Sequence, residues 1–500
     1  MALLVRSRDA VIAAALGVGS FILLFINYWF PPEKIFDEVY FARAAEEYLQ
    51  RRYIYESTHP PLTKLLITLS VVLFGGLPAG DTSHGWRFLG VVAGAIAVVL
   101  TFVLALRVLR STMFATYAAL LFALDGMHFV QSRIATPETY VVCFSLATLY
   151  GFIRYWDAIL AGPPRVVRGR ETLVNVVAAL ASVVVASAFV GLRFAHEAIY
   201  AQVVVAVAIA AGLYGAYKLI RTRPVGTGWL LFFAFAGALL VASKWYGIMA
   251  YGVASVVIAY ATIRAWMQHR PSPFPVDTVV AVSVATIAIV YALAYVPHFI
   301  GLRDLPTSLP RPYTLTNVID MQVGAYMYHA HLVATHPYAS KWWTWPLDLR
   351  PVLYYANYTS RNGAPMAAMI YSLPNPALLW PGLIGVPFAG YLAWKERNRG
   401  YGLVVLAYLM QWLPWAKSPR LAWIYHFYVD IPLIAICNAI AVMWLWNRWK
   451  DSRRTAAISV VAGYLALVAL TFAFFYPILS GTTITSDQRM ARMWLGNWWI

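Results

Sequence analysis

Acidic, basic and aromatic side chains gather at the ends of long apolar stretches in this chain, and their types point to proton transfer beside an anion. Asp37-Glu38 directly follows the first apolar stretch. A carboxylate where the chain leaves a bilayer is partly desolvated, which raises its pKa and suits it to accept a proton; the same pair also reads as a solvated cap on the helix that follows. His59-Pro60-Pro61-Leu62 comes next. Its prolines fix the backbone at a helix start, with the histidine either functional or incidental. Asp125-Gly126-Met127-His128, Gln131-Ser132-Arg133 and Glu138 form a third group. Charges at membrane depth are costly and usually paired or functional, so Arg133 reads either as a site cation or as the ion-pair partner of Glu138 or Asp125. Further along are Lys244 in ASKWYG, His336-Pro337, the run from Ser340 to Pro346 with Lys341, Trp342 and Trp343, then Arg350, Arg420 and Tyr425-His426. Tryptophan and tyrosine at a membrane boundary can be a plain aromatic belt, yet aromatics beside cations also suit a sugar face and a phosphate. No GxGxxG, P-loop, HExxH or CxxC pattern occurs, which removes the usual support for ATP- or nicotinamide-dependent chemistry. No metal site or cofactor is indicated, and the carboxylates leave a divalent-ion requirement open.

The elements that must position these residues are membrane helices. The 500 residues are 61% hydrophobic and 12% charged, with a mean hydropathy of +0.64. A soluble domain carries roughly a quarter charged residues. Apolar stretches of about 20 residues recur throughout, and a helical bundle is the backbone arrangement that satisfies them. The expected fold is therefore an all-α integral membrane bundle of about thirteen spans, near 10–30, 86–108, 112–130, 138–158, 173–193, 198–220, 227–243, 246–265, 277–298, 376–394, 401–416, 421–446 and 456–477. The net charge of +17 falls in clusters at alternate span ends, such as Arg165, Arg168 and Arg170, or Arg448, Lys450, Arg453 and Arg454. That is the positive-inside pattern and not a nucleic-acid surface. It places the N-terminus in the cytoplasm of a multi-pass cell-membrane protein and the long loops outside. The first apolar run is too long for a cleaved leader and lacks a small-residue cleavage site, so it reads as a retained span. Cys143 and Cys437 lie inside apolar stretches and indicate no disulfide framework.

Two outward loops, 31–85 and 299–375, are too long to be connectors, and such loops tend to be functional. The first holds FDEVYFARAAEEYLQRRY, which places Phe36, Val39, Tyr40, Ala44, Tyr48 and Leu49 on one helical face. A helix of that kind is expected to lie along the membrane interface. A second short helix is expected over 62–76. The second loop is rich in Trp, Tyr, Pro and His.

FDEVYFARAAEEY followed by HPPLTKLL resembles the first-loop signature of protein O-mannosyltransferases, within the GT-C superfamily of membrane glycosyltransferases. DGMHFVQSRI, ASKWYG, HPYASKWWTWPLDLRP and PRLAWIYHFYVDIPL match in the family's order. The resemblance implies transfer of mannose from dolichyl- or polyprenyl-phosphate mannose to Ser or Thr hydroxyls of exported polypeptides, with inversion. It makes Asp37 the base that deprotonates the acceptor and Glu38 its support or an acceptor-orienting group. Arg133, Lys244 and Arg420 would hold the leaving phosphate. His59, Glu138, His336, Trp342 and Trp343 would shape the sugar and acceptor pocket, with His426 nearby. An inverting displacement on a sugar phosphate needs one base and opposing cations, whereas glycosidases need paired carboxylates.

The chain departs from the family in three places. Pro137-Glu138 stands where Leu-Asp is expected, a pattern closer to aminoarabinose-transferring relatives. No loop is long enough for the large soluble module of eukaryotic members, so the chain resembles the prokaryotic form. The helix in EEYLQRRYIYEST carries two extra cations. A same-fold transferase with a lipid or glycan acceptor is the main alternative. A transporter is the second; it would be expected to show repeats and midplane charges, which this sequence lacks.

Overall fold

The computed structural model describes residues 7–163, 169–301 and 314–498, apart from the side chains of 299–301. Arg165, Arg168 and part of the second predicted loop lie outside the described residues. The chain divides into two compact units, one of residues 1–49, 64–146 and 330–500, the other of 50–63 and 147–329.

The first unit begins with α1 (Ser7–Phe25) and α2 (Glu38–Leu49). α3 (Leu62–Leu73) starts directly after the two prolines, and α4 (Ser83–Leu109), α5 (Thr112–Ala123) and α6 (Gly126–Gln131) follow. Local chemistry sets the breaks. Thr82 caps α4 with its side chain on the Gly85 N–H, and α4 ends at Arg110 in the left-handed region, φ 54°. The stretch predicted as one span over 112–130 is divided, because Asp125 leaves α5 and caps α6 by accepting from the His128 N–H at 2.8 Å. Gly126 is required there: a Cβ would meet the Leu373 carbonyl oxygen at 2.4 Å. α7 (Glu138–Ala161) carries the chain onward.

The face that α2 buries overlaps the predicted one only in part, with Ala44 buried and Leu49 packed against the core. Phe41, Ala42 and Ala45 pack with Ile67 and Val71 of α3, Trp86 and Ala93 of α4, and Tyr140 of α7, while Val39 and Tyr40 are exposed. The reason is Glu38, which is fully buried against an arginine of α4 and turns its own side of the helix inward.

The second unit holds α8 (Gly169–Arg193), α9 (Ile199–Thr222), α10 (Thr227–Ser243), α11 (Ile248–Met267), α12 (Val276–Gly301) and most of α13 (Leu315–His331). α8 packs on α9, and α12 on both α9 and α10. The N-terminus of α13 is capped from a distance, where the Glu197 carboxylate accepts the N–H groups of Leu315 at 3.0 Å and Thr316 at 2.8 Å. Burial raises the Glu197 pKa, but these bonds outweigh it and leave the group below its ordinary value.

The remainder of the first unit adds a sheet to the expected helices. β1 (Val352–Arg361) and β2 (Ala364–Ser372) form an antiparallel hairpin, with β3 (Ile484–Thr485) pairing on β2. The turn is Asn362-Gly363 with φ of 52° and 78°, both left-handed, as a two-residue hairpin turn demands. α14 (Pro376–Lys395), α15 (Arg399–Trp412), α16 (Ile431–Trp449), α17 (Arg454–Ser480) and α18 (Ser486–Met490) complete it. α16 starts later than the predicted 421, because Ile424–Asp430 is a 3-10 turn. Among the described residues, nine helical stretches are long and apolar enough to cross a membrane. Cys143 and Cys437 are buried free thiols.

Candidate active site

Glu38 is the anchor of the site. Arg87 Nε and Nη2 donate to its two oxygens, each at 2.7 Å. The N–H groups of Ala135 and Ile35 add bonds at 2.9 and 3.0 Å. Arg87, also fully buried, ties down the carbonyls of Pro31 at 2.8 Å and Glu33 at 3.1 Å. A bidentate, fully hydrogen-bonded pair of this kind fixes geometry. Glu38 thereby ties the start of α2 to Arg87 of α4 and to the backbone at Ile35 and Ala135. Arg87 lies near the start of α4 with no motif around it, and the available signal was a cation at the edge of a predicted span.

Asp37 begins where that anchor ends. It is partly exposed, and its carbonyl accepts from the N–H groups of Tyr40 and Phe41 in the first turn of α2. Phe36 adopts a left-handed backbone, φ 47°, which sends its ring onto Tyr354 of β1, stacked at 4.3 Å, and edge-on to Tyr425 at 5.9 Å. Tyr354 sits at a bulge: the pairing steps from Leu353 opposite Tyr371 to Tyr355 opposite Ile370. Bulges re-aim side chains, and the Tyr354 oxygen accepts from Gln131 Nε2 at 2.7 Å. Burial, with the nearby negative charges of Glu138 and Asp37, holds the Tyr354 phenol well above its ordinary pKa. Asp37, Glu138, Tyr354 and Arg420 all act electrostatically on Tyr425. Two predicted carboxylates and one predicted cation are thus brought together around two tyrosines that sequence reasoning did not single out as a pair.

Arg420 also borders a cavity of about 350 Å³ with Lys341, Trp342, Trp343, Trp415 and Ser340. Trp412 Nε1 donates to the Trp342 carbonyl at 3.0 Å, and the Ser340 N–H donates to Ala422 O at 2.9 Å, which joins the two walls. His336 accepts from Trp423 Nε1 at 3.3 Å; burial lowers its pKa. His426 is buried, lies 4.4 Å from the Trp415 ring, and pairs through Nδ1 with the Trp423 carbonyl at 3.0 Å. It orders the turn that presents Tyr425.

Arg133 Nη2 donates to the carbonyls of Ile26 at 3.1 Å and Asn27 at 2.6 Å, not to a carboxylate. Its guanidinium lies 4.2 Å from the Phe129 ring centroid, and burial draws its pKa down to about 10, which leaves it charged at neutral pH. Its buried Nε has no partner among the described residues.

His59 and Lys244 belong to the second unit. His59 Nδ1 lies 2.9 Å from Glu56 Oε1 and its ring is 5.2 Å from His329. Lys244 closes α10, is buried, and lies 5.4 Å from the Tyr246 ring. No cluster of three or more metal-ligating side chains occurs among the described residues.

In fold, this multi-helix membrane bundle has GT-C membrane glycosyltransferases as its structural neighbours. Two family models match, dolichyl-phosphate-mannose-protein mannosyltransferase over residues 14–165 and the C-terminal four-span region of protein O-mannosyltransferase over 314–498. The chain belongs to the protein O-mannosyltransferase family. It is 28% identical to the polyprenol-phosphate-mannose–protein mannosyltransferase of Mycolicibacterium smegmatis, over 99% of this chain and 93% of that one. It is 26% identical to the enzyme of the same description from Mycobacterium tuberculosis, over 93% and 86%. In fold it is similar to the Saccharomyces cerevisiae protein O-mannosyltransferase Pmt1-Pmt2 complex bound to the sugar donor, with a TM-score of 0.71, 13% identity and coverage of 99% and 93%. It also resembles ArnT from Cupriavidus metallidurans bound to undecaprenyl phosphate, with a TM-score of 0.54, 12% identity and coverage of 94% and 76%.

Proposed function

We propose that this chain transfers mannose from a polyprenyl- or dolichyl-phosphate carrier to Ser or Thr hydroxyls of exported polypeptides, with inversion, on the outer face of the cell membrane. The observation that carries this reading is that the charges of Asp37, Glu138 and Arg420 all act on Tyr425, and that Arg420 lines the tryptophan cavity with Lys341.

In this scheme Asp37 accepts the proton of the acceptor hydroxyl as its oxygen bonds to the anomeric carbon. The bond from that carbon to the phosphate oxygen breaks on the opposite side, and the phosphate departs as an anion that needs no second acid. Arg420 and Lys341 stabilise that charge. Arg133, whose buried Nε lacks a partner among the described residues, is a further phosphate-holding cation in this reading. Trp342 and Trp343 offer ring faces to the sugar, with His336 and Glu138 shaping the pocket. The phosphate-mannose carrier is the donor substrate, and no cofactor enters the scheme.

The test incubates membranes containing the full chain with polyprenyl-phosphate mannose and a Ser/Thr-rich peptide, followed by mass analysis. A peptide heavier by one hexose is expected; label appearing in lipid alone would favour the lipid-acceptor alternative. Asp37→Asn should leave expression and donor binding intact and abolish transfer, and near-normal turnover would remove Asp37 from the base role.

A further inference from the structure

The sheet of the first unit leaves one edge without a partner. Among the described residues the strand order is β1-β2-β3, so β1 lies at the margin and no strand pairs with its outer side. Which backbone groups face outward follows from the register. In an antiparallel pair, residues bonded to the opposite strand alternate with residues whose N–H and C=O point away from it. Asn362-Gly363 closes a two-residue turn, which makes Arg361 and Ala364 a bonded pair. Ser360 opposite Pro365 is then a non-bonded pair, which suits a residue with no N–H to give. The Pro365 carbonyl has the same phase, since it accepts from Ser486 Oγ at 3.5 Å, beside β3. Counting by twos, the N–H and C=O groups of Ser360, Tyr358 and Ala356 face away from β2, and all three residues are exposed.

Two further features set this edge apart. Exposed edges are normally guarded against stray pairing by charge or proline, yet Ala356-Asn357-Tyr358-Thr359-Ser360 carries neither. The strand also leads away from the candidate site. Its buried end holds Tyr354, on which Phe36, the residue before Asp37, stacks at 4.3 Å. From there it advances about 3.3 Å per residue to the exposed turn.

We infer that the outer edge of β1 docks the acceptor, an extended polypeptide that adds a strand to the sheet and so brings its Ser or Thr hydroxyl toward Asp37. Pairing of this kind takes affinity from the backbone and reads side chains only at alternate positions. A proline is tolerated only where its nitrogen points away from β1. The inference rests on the reading of a polypeptide acceptor. A second copy of this chain is the competing occupant, and it would cover the approach along the strand.

The experiment uses the full chain in lipid nanodiscs, polyprenyl-phosphate mannose, and a series of Thr peptides each N-methylated at a single backbone nitrogen. Methylation at every second nitrogen should raise the peptide KM roughly three- to tenfold, the size of one backbone hydrogen bond. The nitrogens between should be indifferent, with kcat little changed throughout. Equal effects at every nitrogen, or none, would overturn the docking mode. Tyr358→Pro removes an outward N–H and spares the ladder to β2, so it should raise the peptide KM by a similar factor. Asn357→Pro, which breaks a ladder bond, should instead lower the Tm. An unchanged peptide KM in a folded Tyr358→Pro would also overturn the assignment. If that variant does not fold, the methylated peptides decide on the wild-type protein. Should no peptide receive mannose, the polypeptide-acceptor reading fails, and fluorescence polarisation of a labelled peptide with Ala in place of Thr then tests docking alone. Binding weakened by methylation at alternate nitrogens would keep the edge, and no binding would remove it. Ser360→Cys that links into disulfide dimers in the membrane would assign the edge to a second copy and overturn the inference.

Discussion

At the scale of single residues the division of labour between Asp37 and its neighbour is the central point. The two carboxylates are adjacent in sequence yet chemically unlike. Glu38 accepts four hydrogen bonds, two of them from Arg87, whereas Asp37 keeps partial exposure beside tyrosines. The cations divide in the same way: Arg87 is consumed by structure, while Arg420 and Lys341 border open volume. Arg420→Ala should therefore weaken donor binding roughly tenfold, since a hydrogen bond to a charged group is worth about 1.5–3 kcal/mol. The loss should diminish as salt is added to the wild type, because part of the attraction is screened. Titration of a fluorescent polyprenyl phosphate against both forms measures it, and equal affinities would take Arg420 out of the phosphate site. Arg133→Ala should weaken the same titration, and unchanged affinity would leave Arg133 with the backbone carbonyls of Ile26 and Asn27 alone.

Among elements, the decisive contact is α2 against α4. A helix whose sequence pattern suggested an interfacial position is fixed by one buried ion pair, and its packing surface follows from that pair. Replacing one partner leaves the other charge buried and uncompensated, at a cost of about 3–5 kcal/mol. Arg87→Met should therefore lower the Tm of the purified protein far more than a surface change such as Lys395→Met, with transfer lost in proportion to unfolding. A thermal melt with a fluorescence readout distinguishes these outcomes, and an unshifted Arg87→Met would refute the anchoring role. The hairpin of β1 and β2 is the second such element. Its bulge at Tyr354 and the stacking of Phe36 on that ring bring a strand from the second long loop to the start of α2.

For the molecule as a whole, the matter is which side of the membrane carries the chemistry. The proposed outward site rests on the positive-inside distribution of the basic clusters. A cysteine placed at the exposed hairpin turn, Asn362→Cys, should react with a membrane-impermeant maleimide on intact cells. Arg397→Cys, in the exposed connection between α14 and α15, should react only after the cells are opened. The two native cysteines are buried and contribute little background. The reverse pattern would invert the proposed topology. The family models match residues 14–165 and 314–498, which contain Asp37, Glu138, Lys341 and Arg420, while the stretch between them supplies most of the second unit.

The amino-acid sequence alone determined the membrane class, the predominantly helical character and the family. Each depends on local composition or on short motifs, and hydrophobic length is legible without knowing what packs on what. Asp37, Arg420 and the tryptophan run were legible for the same reason, as unusual side chains at apolar boundaries. The hairpin was legible in principle from Asn362-Gly363 between runs of aromatic and small residues, but a loop expectation hid it. Tertiary structure decided the rest. The Glu38–Arg87 pair spans 49 positions and the Gln131–Tyr354 bond spans 223. No periodicity encodes partners so far apart, because burial of a charge is settled by what the folded chain brings against it.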